Sequence, residues 1–117
     1  AQTISVTAFG MGIACNLTGL HTLKIKETDR LIALNNELSK LGADISVTNE
    51  SLHIKNASRI NSDIAIDTYQ DHRMAMCLAP LAMCCNSVVI DDREVVNKSY
   101  RSYWEDLKIL SFKVHLL

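Results

Sequence analysis

Four basic residues stand where helix physics disfavours them. Lys26 and Arg30 flank the start of an amphipathic stretch running from Leu31 to Leu41, and their four-residue spacing puts them on one side. Asp71 is followed at once by His72 and Arg73, ahead of Met74, Cys77, Leu78 and Leu81, so a guanidinium again opens a helical run. Lys98 lies a few residues before Ser102, the head of a third. A helix N-terminus carries about half a positive charge, which favours acidic neighbours over basic ones. Cations gathered there become favourable when a carboxylate or phosphate binds among them and takes hydrogen bonds from amides and side chains together. The chemistry implied is recognition of a small anion. A second reading fits the same spacings: Lys26, Glu27, Asp29 and Arg30 as an exposed, mutually neutralising cluster, His72 as an exposed first-turn residue, and Lys98 as a solvated loop lysine.

The elements that must position these groups follow from periodicity. Residues 1–13 carry a loose helical stripe broken by Gly10 and Gly12. Alternation over Cys15 to Ile25 predicts a strand interrupted at Gly19. Leu31, Leu34, Leu38 and Leu41 recur at three- and four-residue steps and predict a helix that Gly42 stops with a left-handed cap. Ile45 and Val47, then Leu52 and Ile54, flank a polar turn and predict a hairpin. Ile60 to Ile66 alternates like a strand. Asp71 is placed to cap the next helix, which Pro80 must kink or end. A short strand at Val88–Ile90, a helix behind a Ser102 and Glu105 capping box, and a closing strand over Phe112 to Leu116 complete the pattern. Alternating α and β elements predict an α/β (α+β) fold in packed layers. Strand–helix units at roughly forty-residue intervals, with Arg30 and Arg73 similarly placed after them, suggest an internal duplication.

Composition narrows the classes. The chain has 117 residues, 48% hydrophobic and 21% charged, which suits a single folded domain and excludes disorder and coiled coil. A net charge of −1 gives no long-range pull toward nucleic acid or anionic lipid, so any anion site is local. The longest apolar run, Met74 to Cys85, holds a proline and falls well short of the ~20 residues that cross a bilayer. Cys15, Cys77, Cys84 and Cys85 form no C-x-x-C pair and read as free thiols of a reducing compartment, the cytoplasm. His21, His53, His72 and His115 are too scattered for a metal site, so no metal is expected. Tyr100, Tyr103 and Trp104 read as packing residues. The chain opens inside a helical stretch rather than at a methionine, which suggests that Ala1 is not a true N-terminus.

Two segments carry a resemblance. Leu23-Lys24-Ile25-Lys26-Glu27-Thr28-Asp29-Arg30-Leu31 and Asp67-Thr68-Tyr69-Gln70-Asp71-His72-Arg73-Met74-Ala75-Met76 resemble the C-terminal signatures of the 5-enolpyruvylshikimate-3-phosphate synthase family. Leu38-Ser39-Lys40-Leu41-Gly42-Ala43 after the first, and Asp91-Asp92 with Lys98-Ser99-Tyr100 after the second, fit in order and gap. The resemblance runs through nearly all of the chain. It implies one fragment, residues 1–117, of the C-terminal domain of an enolpyruvyl transferase, an inside-out α/β barrel of βαβαββ-type units, with the N-terminal domain of the same polypeptide as its missing partner.

The resemblance further implies transfer of the enolpyruvyl group of phosphoenolpyruvate to the 5-hydroxyl of shikimate 3-phosphate, by addition and elimination, with no cofactor. It assigns Lys26 to the attacking hydroxyl and its proton, Glu27 to protonation of the methylene carbon, Arg30 and Arg73 to the phosphoenolpyruvate carboxylate, Lys98 to its phosphate, and His72 to hydrogen bonding or proton transfer beside them. A planar guanidinium suits a carboxylate because it pairs with both oxygens. Glu27 can deliver a proton if a crowded or dry site raises its pKa. The chain departs from the family pattern in three places: Ala1-Gln2-Thr3 opens it, without the acid/base aspartate expected just upstream; Thr22 stands where asparagine is common; and Arg101 replaces a frequent proline. Two alternatives are a relative acting on a UDP-linked amino sugar and a noncatalytic anion-binding module on the same scaffold. The fragment alone is expected to be catalytically silent.

Overall fold

In a computed structural model that describes residues 1–56 and 59–115, helices and short strands alternate along the chain. Helix α1 (Gln2–Gly10) leads into strand β1 (Cys15–Leu17), helix α2 (Arg30–Lys40), and strands β2 (Ile45–Val47) and β3 (Leu52–Ile54). Strand β4 (Ile64–Ile66), helix α3 (His72–Leu78), strand β5 (Val88–Ile90) and helix α4 (Tyr103–Ile109) follow. Strand β3 is the centre of an antiparallel sheet ordered β1-β3-β2, while β4 and β5 pair in parallel across α3. The order α-β-α-β-β then β-α-β-α reads as parts of two consecutive βαβαββ units. Arg30 opens the second helix of the first unit and Arg73 lies in the first helix of the second, so their shared placement does not follow the repeat.

Helix α2 forms as its periodicity dictates. Leu31, Ala33, Leu34 and Leu38 are buried, Asp29 caps the start by accepting from the Ile32 amide at 3.2 Å, and Gly42 takes φ +102° just past the end. There the Ala43 amide reaches the Leu38 carbonyl at 2.9 Å and the Gly42 amide reaches Ser39 at 3.0 Å, a Schellman closure that requires a residue tolerant of positive φ. The main core joins this face to Val6 and Phe9 of α1, Leu52 and Ile54 of β3, Ile66 of β4, and Met74 and Leu78 of α3. A second cluster holds Ala75 and Ala79 with Val95, Val96, Tyr103 and Leu107. Helix α3 is therefore gripped by apolar packing on two sides, and the Tyr103 hydroxyl donates to the Met76 carbonyl at 2.8 Å. That double grip fixes the direction in which its N-terminus points.

Several expected elements differ. The strand anticipated over Cys15 to Ile25 ends at Leu17, and residues His21–Ile25 make a 3₁₀ turn. Leu20 and Leu23 are three residues apart, the 3₁₀ period, and the Leu23 amide bonds the Leu20 carbonyl at 2.9 Å. The Ile60 to Ile66 strand is confined to its last three residues. The α-conformation of α3 stops at Leu78 and Pro80 sits in the following 3₁₀ turn, Ala79–Met83. Ser102 makes no capping bond; its hydroxyl turns to Asp106 at 3.4 Å. Residues 112–115 form no strand, with Phe112 and Val114 packed on the second cluster instead, and Leu116 lies outside the described residues.

Candidate functional site

Arg30 is the centre of the charged assembly, and it is buried, with only 4% of its surface exposed. Its Nε donates to Asp71 Oδ2 at 2.7 Å and its Nη2 to Asp71 Oδ1 at 3.2 Å, a two-pronged pair that joins the start of α2 to the start of α3. The same Nη2 donates to Glu27 Oε2 at 2.6 Å. Asp71, fully buried, also accepts from the Arg73 amide at 2.9 Å and so caps α3 as its position in the sequence predicts. Burial pushes the Asp71 carboxyl up, but the Arg30 hydrogen bond and the Arg73 amide outweigh it and hold the group below its usual value. Asp29 is likewise held low: the Lys24 ammonium at 2.6 Å and backbone amides overcome its partial burial.

The turn that delivers α3 is unusual. Tyr69 and Gln70 both adopt left-handed conformations, φ 58° and 55°, which side chains other than glycine adopt at a cost. The Asp71 amide closes the turn on the Thr68 carbonyl at 2.9 Å. Lys98, at the end of a 3₁₀ turn spanning Arg93–Lys98, sends its ammonium to the Gln70 carbonyl. Lys98 thus belongs to the N-terminal end of α3 and not to the approach of α4, where the sequence alone sets it. His72 follows Asp71 with its Nδ1 buried and unpartnered among the described residues. Arg73 is exposed and borders a cleft of about 430 Å³ between α1 and α3, lined also by Gln2, Thr3, Met76 and Cys77.

Of the six residues singled out by sequence, Arg30 joins Glu27 to Asp71, the N-cap of α3, His72 and Arg73 lie in the first turn of that helix, and Lys98 reaches the turn before it through the Gln70 carbonyl; of the six, Arg73 alone lines the α1–α3 cleft. Lys26 does not join them through any hydrogen bond among the described residues; it is exposed, in extended backbone next to Glu27. The apparent excess of cation at the start of α2 is smaller than spacing suggests, because Asp71 and Glu27 neutralise Arg30. Glu27 is exposed, and a hydrogen bond from its own amide, followed by the Arg30 charge, holds its carboxyl below the usual range. The raised value that proton delivery asks of Glu27 is not met in this arrangement.

Spacing missed the Asp71 partnership with Arg30, 41 residues away, and it missed Glu37 altogether. The signal for the first was present: an acid capping one helix beside an arginine opening another. Among the described residues no three His, Cys, Asp or Glu side chains gather as a metal ion needs, and no helix is long and apolar enough to cross a membrane.

The family model described as EPSP synthase (3-phosphoshikimate 1-carboxyvinyltransferase) matches residues 1–107. The chain belongs to the EPSP synthase family. A 3-phosphoshikimate 1-carboxyvinyltransferase of Bacteroides fragilis is 42% identical over 116 residues, 97% of this chain and 28% of that relative. One from Neisseria meningitidis is 38% identical over 105 residues, 90% of this chain and 24% of its own. An EPSP synthase structure from Acinetobacter baumannii superposes with a TM-score of 0.79 at 21% identity, over 92% of this chain and 26% of that one, a likeness of fold. The chain spans about a quarter of the length of the family members it matches, and its fold is part of the family's α/β architecture.

Proposed function

We propose that this chain supplies the phosphoenolpyruvate-binding part of a site that transfers a carboxyvinyl group to the 5-hydroxyl of shikimate 3-phosphate. The reading makes it a fragment of the C-terminal domain, working with the N-terminal domain of the same polypeptide. The observation that carries it is the placement of Arg30 with Glu27, of His72 and Arg73, and of Lys98 in and around the N-terminal turn of α3. Phosphoenolpyruvate is a compact dianion or trianion, with a carboxylate and a phosphate ester on the same carbon. Separate cations at fixed positions suit both ends of it and hold the reacting carbon in register.

Arg73, exposed at the rim of the α1–α3 cleft and without a side-chain partner among the described residues, is the guanidinium that takes the carboxylate, while Arg30 presents only the nitrogen not already bound to Asp71 and Glu27. Lys98 releases the Gln70 carbonyl to meet the phosphate. A carboxylate arriving beside Arg30 competes with Glu27 for the guanidinium. Its negative charge, together with exclusion of water, drives the Glu27 carboxyl upward, toward the protonated form that can donate to the methylene carbon. Lys26, on the extended segment beside Glu27, faces the attacking hydroxyl and relays its proton. The addition and elimination need no cofactor. The free state of all four cysteines supports a reducing compartment, the cytoplasm, and neither nucleic acid nor membrane enters the reading.

The test is titration of phosphoenolpyruvate into the full polypeptide that carries this chain, in the presence of shikimate 3-phosphate, with Arg73→Ala and Lys98→Ala alongside. Saturable binding that each substitution weakens supports the reading. Affinity indifferent to both refutes it.

A further inference from the structure

Glu37 sits mid-way along α2, on the same face as Arg30 two turns earlier, and its surface is 0% exposed. Charged side chains are almost never buried so completely unless paired, and the pairs this carboxylate makes are specific. Oε1 accepts from the Asp67 amide at 2.8 Å and from Lys40 Nζ at 2.7 Å. Oε2 accepts from the Tyr69 hydroxyl at 2.6 Å, and the Asn36 amide reaches that hydroxyl from the other side at 3.4 Å. The two oxygens thus hold both ends of the segment Asp67–Thr68–Tyr69, whose last residue begins the left-handed pair Tyr69–Gln70.

We infer that Glu37 is a positioning residue: it locks the strained turn at 67–71 against α2, so that His72 and Arg73 emerge at the spacing the ligand needs. Left-handed backbone at two consecutive non-glycine residues persists only where its surroundings over-determine it. Besides its own closing bond, this turn is held by the Glu37 carboxylate on its first residues, Lys98 on the Gln70 carbonyl, and Arg30 on Asp71, with Lys40 and Asn36 adding longer contacts to Asp67 and Tyr69. Arg30 and Glu37 come from one rigid helix, so α2 fixes the entry and the exit of the turn together. Lys98 is the member a ligand phosphate would draw away, which leaves Glu37 and Arg30 to hold the turn while the site is occupied. Burial together with the Glu37 bond raises the Tyr69 phenol above its ordinary value, in keeping with a hydroxyl that stays a donor.

This inference rests on the carboxyvinyl-transfer reading, and the experiment separates the two. In the full polypeptide that carries this chain, Glu37→Ala raises the KM for phosphoenolpyruvate about tenfold or more, because ~1 Å of misplacement can cost on the order of 100-fold. The KM for shikimate 3-phosphate stays near the wild-type value. Glu37→Gln recovers most of the loss, since an amide oxygen can still accept from Asp67 and Lys40 while its nitrogen donates to the Tyr69 hydroxyl. Tyr69→Phe, which deletes one bond and no packing, moves the same KM in the same direction by less. Amide hydrogen exchange at Asp67 and Asp71 accelerates in Glu37→Ala and not in Glu37→Gln. A wild-type protein without turnover overturns the activity reading and this inference with it. Normal wild-type turnover with an unchanged phosphoenolpyruvate KM in both Glu37→Ala and Tyr69→Phe overturns the inference alone. If Glu37→Ala does not fold, Tyr69→Phe and the Glu37→Gln exchange profile decide the matter.

Discussion

Replacing Arg30 by methionine leaves Asp71 stranded. The carboxylate is fully buried, and of the three hydrogen bonds it accepts among the described residues two come from Arg30, at 2.7 and 3.2 Å, and the third from the Arg73 amide at 2.9 Å. Removing one partner of a buried ion pair costs about 3–5 kcal/mol, since the remaining charge keeps its desolvation penalty and loses its compensation. Glu27 adds little, because it is exposed and already solvated. Against a typical domain stability of about 5–15 kcal/mol, this loss is large and is readable by urea unfolding. The pH dependence changes sign as well. In the wild type the Asp71 carboxyl lies below its ordinary value of 3.8, so its contribution is present above that value and lost as pH falls through the lower folded one. Without the guanidinium, burial dominates and the folded value rises above 3.8, so Arg30→Met gains stability as pH falls through that raised value. A second change, Asp71→Asn, rescues most of the loss, because a neutral amide can still accept from Arg73. Destabilisation of Arg30→Met by less than about 1 kcal/mol at pH 7, the range of a surface pair, would refute the reasoning.

Leu38 is 0% exposed in the main core, and Leu38→Ala costs about 2–5 kcal/mol by urea unfolding, whereas Ser39→Ala on the outer face stays within ~0.5 kcal/mol. Burial pushes the Cys77 thiol up to about 12, so iodoacetamide at pH 8 labels exposed Cys84 first, as mass spectrometry of the digested protein will show. Burial also raises the Tyr103 phenol from 10.0 to about 12. Its contribution is complete below the unfolded value and is lost as pH rises from about 10 to 12, so stability falls across that alkaline window and Tyr103→Phe flattens the fall.

Much of the scaffold can be read from residue order. Leu31, Leu34, Leu38 and Leu41 specify α2 because a helix with that stripe has one way to bury it, and Gly42 closes it because few other residues take φ +102° cheaply. The pairing of Ile45 and Val47 with Ile54 and Leu52 is equally local. What escapes sequence reading is what the tertiary fold decides. The apolar alternation after Cys15 suits a strand and a 3₁₀ turn alike, and only the first three residues find β3 as a partner. Phe112 and Val114 alternate as a strand would, but pack on α4's cluster and pair with no strand among the described residues. At the site, the cations were recognisable from their clash with the helix dipole. Asp71 was recognisable as a cap, but its pairing with Arg30, and that of Glu37 with Tyr69, is fixed only once α2 and the start of α3 are brought together. Sequence sets Lys98 beside α4, yet its chain path carries it to α3.

The most direct measurement is ³¹P NMR of phosphoenolpyruvate and shikimate 3-phosphate incubated with the full polypeptide that carries this chain. Inorganic phosphate and a new phosphorylated vinyl ether should appear in equal amounts, and Arg73→Ala should slow both by about 100-fold, the scale on which a lost positioning contact acts. Unchanged spectra with the wild type, or an Arg73→Ala rate equal to it, would contradict a phosphoenolpyruvate site at the start of α3.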